Sequence, residues 1–135
     1  MAIETLVELL EEYNKCFYDR DAERLRTLCF EEPGGFTYFD NHADCDSYSL
    51  GDHVEKVAAF LERDAIEHLE VEPQAGWMSE GAGCLTGIVR YSSLPDSPVR
   101  FSMFAARSNQ NWKIRHLHFS ASPMGTPGSQ DEEPS

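Results

Sequence analysis

The feature that most constrains this chain is a change of hydrophobic period near residue 66. Before it, apolar side chains recur every three or four positions, which is the spacing of one helix face. Ile3, Leu6, Leu10, Tyr13 and Phe17 form one such stripe, with Glu8, Glu11 and Glu12 on the other faces. Asp19-Arg20-Asp21 interrupts it, and Asp21 is placed to cap a shorter second helix carrying Leu25, Leu28 and Cys29. Glu32-Pro33-Gly34-Gly35 then makes a turn, and Phe36–Asp40 reads as a short strand. Ser49, with Asp52 three residues on, resembles a capping box. Val54, Val57, Ala58 and Leu61 follow on one face of a third helix.

After residue 66 the pattern predicts strands at Ile66–Met78, Cys84–Ser92, Val99–Arg107 and Trp112–Ala121. Turn residues separate them, including Ser108-Asn109-Gln110-Asn111 in the last hairpin. Pro73 marks the first of these strands as an edge or as the site of a bulge. Three helices with one strand among them, then strands joined by turns, is an α+β order. The helices must cover one face of a curved antiparallel sheet. The result is a cone whose open end is a natural pocket, with the other sheet face left to solvent or a partner. Residues 1–123 are expected to form this domain and 124–135 a flexible acidic tail.

Composition narrows the function. With 135 residues the chain can bury one core of its own, and its net charge of −13 argues against general affinity for nucleic acid or anionic membrane. No run approaches the ~18 apolar residues of a membrane span. The opening MAIETLVELLEEYNK has no basic start followed by an apolar core, so a cytoplasmic location is expected. Cys16, Cys29, Cys45 and Cys84 form no C-x-x-C pair and are expected as reduced thiols. Acidic residues crowd the first 80 positions beside a mildly basic remainder. That layout suits self-association, and is equally what Glu-rich solvated helix faces produce. There is no phosphate-binding glycine loop and no nucleophile elbow, and no cofactor is expected.

The run Trp112-Lys113-Ile114-Arg115-His116-Leu117-His118-Phe119-Ser120, after a helix-helix-strand-helix start, resembles the nuclear-transport-factor-2-like superfamily. The resemblance is greatest to its SnoaL-like (polyketide-cyclase-like) branch. The closing His116-x-His118-x-Ser120-x-Ser122-Pro123 is also similar to the end of the association domain of calcium/calmodulin-dependent protein kinase type II. The resemblance spans roughly residues 3–123 and implies a cystatin-like cone that is homodimeric through its open sheet face. It implies little about activity, because this fold hosts isomerases, dehydratases, cyclases and assembly modules.

Strict alternation along the last strand puts His116, His118 and Ser120 on one face and Arg115, Leu117 and Phe119 on the other. Two histidines at i, i+2 can converge on an ion, but a third ligand is not assigned to that face, and no metal is expected. The resemblance turns the His-x-His-x-Ser face outward, against a neighbouring subunit. Leu117 and Phe119 then look into the cone, joined by Phe101, Met103 and Ala105 from the preceding strand. The kinase association domain implies arginines near the Met103 and Phe119 positions. Here both are apolar, so a greasy pocket for a small apolar molecule is expected, with Arg115 as one cation near its mouth. Phe17, Tyr38 and Trp77 are the other expected lining residues.

The ketosteroid isomerases of this superfamily use a helix Tyr as oxyanion donor, an Asp after the first strand as base and a protonated Asp on a later strand. The resemblance carries the first two onto Tyr13 and Asp40. The chemistry is coherent, since a carboxylate can abstract a proton beside a carbonyl while a phenol stabilises the enolate. The third position falls at or near Phe101, which cannot donate a hydrogen bond. His42 and His53 lie near the expected mouth and read as surface residues. Two functions follow: a cofactor-free isomerase, cyclase or dehydratase acting on a hydrophobic carbonyl compound, or a non-catalytic homo-oligomeric association or ligand-binding module.

Overall fold

A computed structural model describes residues 3–41, 43–93 and 96–121. The expected tail 124–135, His42 and part of the 94–98 turn lie outside the described residues. Helix α1 spans Glu4–Tyr18, α2 Leu25–Leu28 and α3 Leu50–Arg63. Strands are β1 Thr37–Phe39, β2 Leu69–Met78, β3 Ala82–Tyr91, β4 Val99–Ser108 and β5 Asn111–Ala121. Their order across the sheet is β1-β5-β4-β3-β2, antiparallel except for β1, which runs parallel to β5. This is the expected α+β cone, with the helices on one face of the sheet. No helix among the described residues is long and apolar enough to cross a membrane.

The local signals act as their chemistry dictates. The Ser49 hydroxyl accepts from the Asp52 amide at 3.1 Å and starts α3. Asp21 accepts from the Arg24 amide and opens a 3₁₀ turn that runs into α2. At the end of α1, Arg20 takes a left-handed φ of 53°. The Arg20 and Asp21 amides bond back to the Phe17 and Cys16 carbonyls, the Schellman pattern normally built on glycine. A compensation is visible, because the Arg20 guanidinium donates to the Leu61 carbonyl at 2.5 Å, in the last turn of α3. β2 begins at Leu69 rather than Ile66, where the Tyr18 hydroxyl bonds both the carbonyl and the amide of Leu69.

Two bulges shape the sheet. On β2 the register slips between Pro73 and Ala75, leaving Gln74 unpaired on this edge strand. On β5 it slips opposite Phe104 and Ala105, so that Arg115 is the extra residue. Each bulge reverses the in–out parity of the residues beyond it. Leu117 and Phe119 point inward on one side of the second bulge, and Ile114 on the other. Opposite the first bulge a glycine is obligatory. A Cβ on Gly87 would stand 2.4 Å from the Glu72 carbonyl and 2.9 Å from the Phe101 ring.

The narrow end of the cone is solid. Leu6, Leu10, Leu85, Met103, Ile114 and Leu117 are wholly buried there, with Ala105 beside them. Because the left-handed backbone at Arg20 costs a non-glycine residue about 1 kcal/mol, Arg20→Gly is expected to be more stable than Arg20→Ala by that amount. Both lose the bond to Leu61, so equal urea midpoints for the two variants would show that the backbone there is unstrained.

Candidate functional site

The wide end of the cone is hollow. A cavity of about 820 Å³ lies between the second half of α1, α3, the end of β1 and the segment that enters β2. Its wall is largely aromatic, with Tyr13, Phe17, Tyr38, Phe60, Tyr91 and Phe119. Asn14, Asp40, His53, Lys56 and Glu67 supply polar groups.

Two hydrogen-bonded pairs organise that wall. The Tyr13 hydroxyl lies 2.8 Å from His53 Nε2, joining α1 to the first turn of α3. The Tyr38 hydroxyl donates to Asp40 Oδ2 at 2.8 Å. The pairs meet face to face, since the Tyr38 and His53 rings stack with centroids 4.4 Å apart. Phe36 covers His53 from another side at 5.3 Å. This aromatic enclosure strips water from the imidazole and lowers its pKa from the ordinary 6.5 to about 4, so His53 is neutral at physiological pH. Burial likewise raises the Tyr13 and Tyr38 phenols well above their usual range, and both remain protonated donors.

Asp40 is half-buried at the rim. Its Oδ1 also accepts from the Asn41 amide at 2.6 Å, and its own amide donates to Asp46 Oδ1 at 3.0 Å. Lys56 on α3 donates to the Asp46 carbonyl and pairs with Asp52 at 3.2 Å. These contacts tie the loop after β1 down onto α3 beside the opening. Tyr13 and Asp40 therefore share one cavity, but Tyr13 is hydrogen-bonded to His53 and Asp40 to Tyr38 rather than to each other.

Several sequence expectations are corrected. Phe101, Met103 and Leu117 do point to the helical side but are packed into the core and do not line the cavity. Trp77 and Arg115 are displaced by the bulges. Trp77 lies beyond the β2 slip, so it turns to the outer face, 59% exposed and paired with Cys84. Arg115 is the bulged residue of β5 and leaves the mouth. Its guanidinium sits over Phe30 at 3.5 Å and donates to Glu32 at 2.7 Å and to the Gly35 carbonyl at 3.3 Å. Phe17, Tyr38 and Phe119 line the cavity. His116 and His118 lie on the outer face, with ring centroids 6.3 Å apart, and His116 Nδ1 bonds the Thr37 hydroxyl at 2.7 Å. Ser120, paired with Arg100, is on the same face. Among the described residues no group of three His, Cys, Asp or Glu side chains could hold a metal ion.

His53 is the residue that sequence reading misplaced: it is 2% exposed, not superficial. The signal was present, because His53 falls three residues after Leu50 and four before Val57, on the apolar stripe of α3. Asn14 was missed too, 6% exposed on α1 beside Tyr13.

No family model and no curated protein sequence matches the chain. Solved structures do match, by shape. A nuclear-transport-factor-2-like protein of unknown function from Pseudomonas putida superposes with TM-score 0.70 at 14% identity, covering 90% of this chain and 88% of that one. A cystatin-like fold protein from Burkholderia xenovorans gives 0.66 at 16% identity, over 90% and 92%. A protein from Thiobacillus denitrificans, named for the association domain of calcium/calmodulin-dependent protein kinase type II, gives 0.73 at 8% identity, over 85% and 93%. At these identities the likeness is one of fold. This chain has the cystatin-like, nuclear-transport-factor-2-like fold.

The enclosure of His53 has a pH consequence. Its folded pKa lies below its unfolded one, so the unfolded chain binds the extra proton and stability falls as pH drops through that window. From pH 7 to pH 4 this group alone is expected to withdraw about 3 kcal/mol. Urea denaturation across that range should show His53→Gln with a shallower acid loss than the native protein. Parallel curves would refute the assignment.

Proposed function

We propose that the cone binds a small, largely apolar carbonyl compound and acts on it by cofactor-free acid–base chemistry, in the manner of the SnoaL-like branch. The observation that carries this reading is that Asp40 and Tyr13 lie on the wall of one open, aromatic cavity. Asp40 takes a proton from the carbon beside the carbonyl. The electron pair moves to the carbonyl oxygen, and the Tyr13 hydroxyl donates a hydrogen bond to the enolate so formed. Where a carbon–carbon double bond is conjugated with the enolate, the electron pair returns from the oxygen, Asp40 gives its proton to the far carbon of that bond, and the shifted double bond completes an isomerisation. His53 fits as a positioning residue. With its proton on Nε2 it donates to the Tyr13 oxygen and leaves the phenolic hydrogen free for the substrate. Tyr38 holds Asp40 in place through Oδ2.

Deuterium exchange at the α-carbon of a bicyclic ketone, 2-tetralone, tests this by NMR in heavy water. The protein is expected to accelerate exchange, and Tyr13→Phe to slow the catalysed rate by roughly 10²–10³. Asp40→Asn should abolish it while the ketone still raises the melting temperature. Exchange at the buffer rate with native protein, or unchanged by Asp40→Asn, would leave only a binding module.

A second reading concerns assembly, and the outer face of the sheet supports it. One register row there runs Trp77, Cys84, Phe104, His116, Thr37 across all five strands. Trp77 is 59% and Phe104 50% exposed in that row. Large apolar side chains aligned on an uncovered sheet face favour a partner, and a second copy of the chain supplies one. Sedimentation is expected to find a homodimer that Phe104→Glu splits into monomers. A native monomer at tens of micromolar would refute it.

A further inference from the structure

We infer that Asn14 is a ligand-recognition residue, whose amide hydrogen-bonds an uncharged oxygen of the molecule held in the cone; this rests on the cavity being a binding site. Asn14 is 6% exposed and lines the cavity beside Tyr13. Its side chain has no hydrogen-bond partner among the described residues, whereas the neighbouring polar groups Tyr13, Tyr38, Asp40 and Glu67 are all bonded. Among the described residues only the Ser47 hydroxyl is sealed off without a partner, so the unpaired Asn14 amide still reaches open space, on a helix face that otherwise carries Leu6, Leu10, Tyr13 and Phe17. Such groups persist where a ligand completes them.

The surroundings select the chemistry. An amide both donates and accepts but carries no charge, so it suits a carbonyl or hydroxyl. The aromatic wall takes an apolar body. Charge at the rim does not favour an anion, since Lys56 is engaged by Asp52 and the Asp46 carbonyl, Arg63 lies 3.9 Å from Asp64, and Asp40, Asp44 and Glu67 line the same cavity. Asn14 also borders a shallower groove between α1 and β2, at the seam it shares with Tyr18 and Leu69. That groove is rimmed by Glu11, Glu12, Glu70 and Glu72. An apolar ligand therefore meets this amide from the cavity side.

The experiment compares two probes of one shape, 2-acetylnaphthalene and 2-isopropenylnaphthalene, in which a CH₂ replaces the ketone oxygen. Binding is read from naphthalene fluorescence with the native protein and Asn14→Leu. The native protein is expected to prefer the ketone, and the variant to lose about tenfold of that preference (~1.4 kcal/mol) while keeping its affinity for the hydrocarbon. Without ligand, Asn14→Leu is expected to melt at a higher temperature, the opposite of what a structural amide would do. An unchanged preference, or a lowered melting temperature, overturns the inference for Asn14 and leaves the cavity reading intact. Failure of both probes to bind the native protein overturns both.

Discussion

The hollow of this molecule depends on the form of one sheet, and two single-residue slips set which of its side chains face the interior. A flat sheet would lie against α1 and α3 along its whole length and leave no hollow. At the slip between Pro73 and Ala75 the edge strand runs so close to its neighbour that only glycine fits at position 87 opposite. The slip at Arg115 bends β5. Between them the cone closes over Met103 and Leu117 at one end and opens toward Tyr13 and Asp40 at the other. The same two residues of slippage decide which side chains reach the interior, because each reverses the parity of a strand.

This explains what was and was not legible in the sequence. Helix stripes, the Ser49 and Asp21 caps and the hairpin at Asn109, whose φ is 58°, are local and could be read from neighbouring residues. Pro73 signalled its bulge openly. The consequence of that bulge for Trp77, four residues later, needed the parity to be carried through it. Arg115 gave no such warning, since its slip depends on pairing with β4. Tyr13, Asp40, Tyr38, Phe17 and Phe119 reached the cavity wall because none of them lies beyond a slip from the core residues that set their phase. His53 was hidden by its type: a histidine in a first helical turn reads as solvated, although its spacing from Leu50 and Val57 says otherwise.

The polar groups of the cavity follow one rule. Each phenol or imidazole deep in the wall is neutral, and the carboxylate sits at the rim, where the Tyr38 hydroxyl and the Asn41 amide donate to it. Placing Asp40 deeper would have required a cation beside it, because an ionised carboxylate without partners is not tolerated in an aromatic enclosure. The deep part of the wall is thus built to direct hydrogen atoms rather than to hold charge. That is the division of labour that proton transfer on an uncharged molecule calls for.

The parallel pairing of β1 with β5 also places the site in time. Thr37 meets His116 and Phe39 meets His118 across 79 residues of chain, whereas β2 through β5 pair with their sequence neighbours. Closing so long a loop carries the largest entropic cost among these pairings, and it needs the far strand in place. Tyr38 and Asp40 hang from β1, so the wall they form is completed only after synthesis has passed Ala121 and the meander has assembled. A chain in which β1 has not docked on β5 can possess every helix and hairpin of this fold and still lack the wall that carries Tyr38 and Asp40.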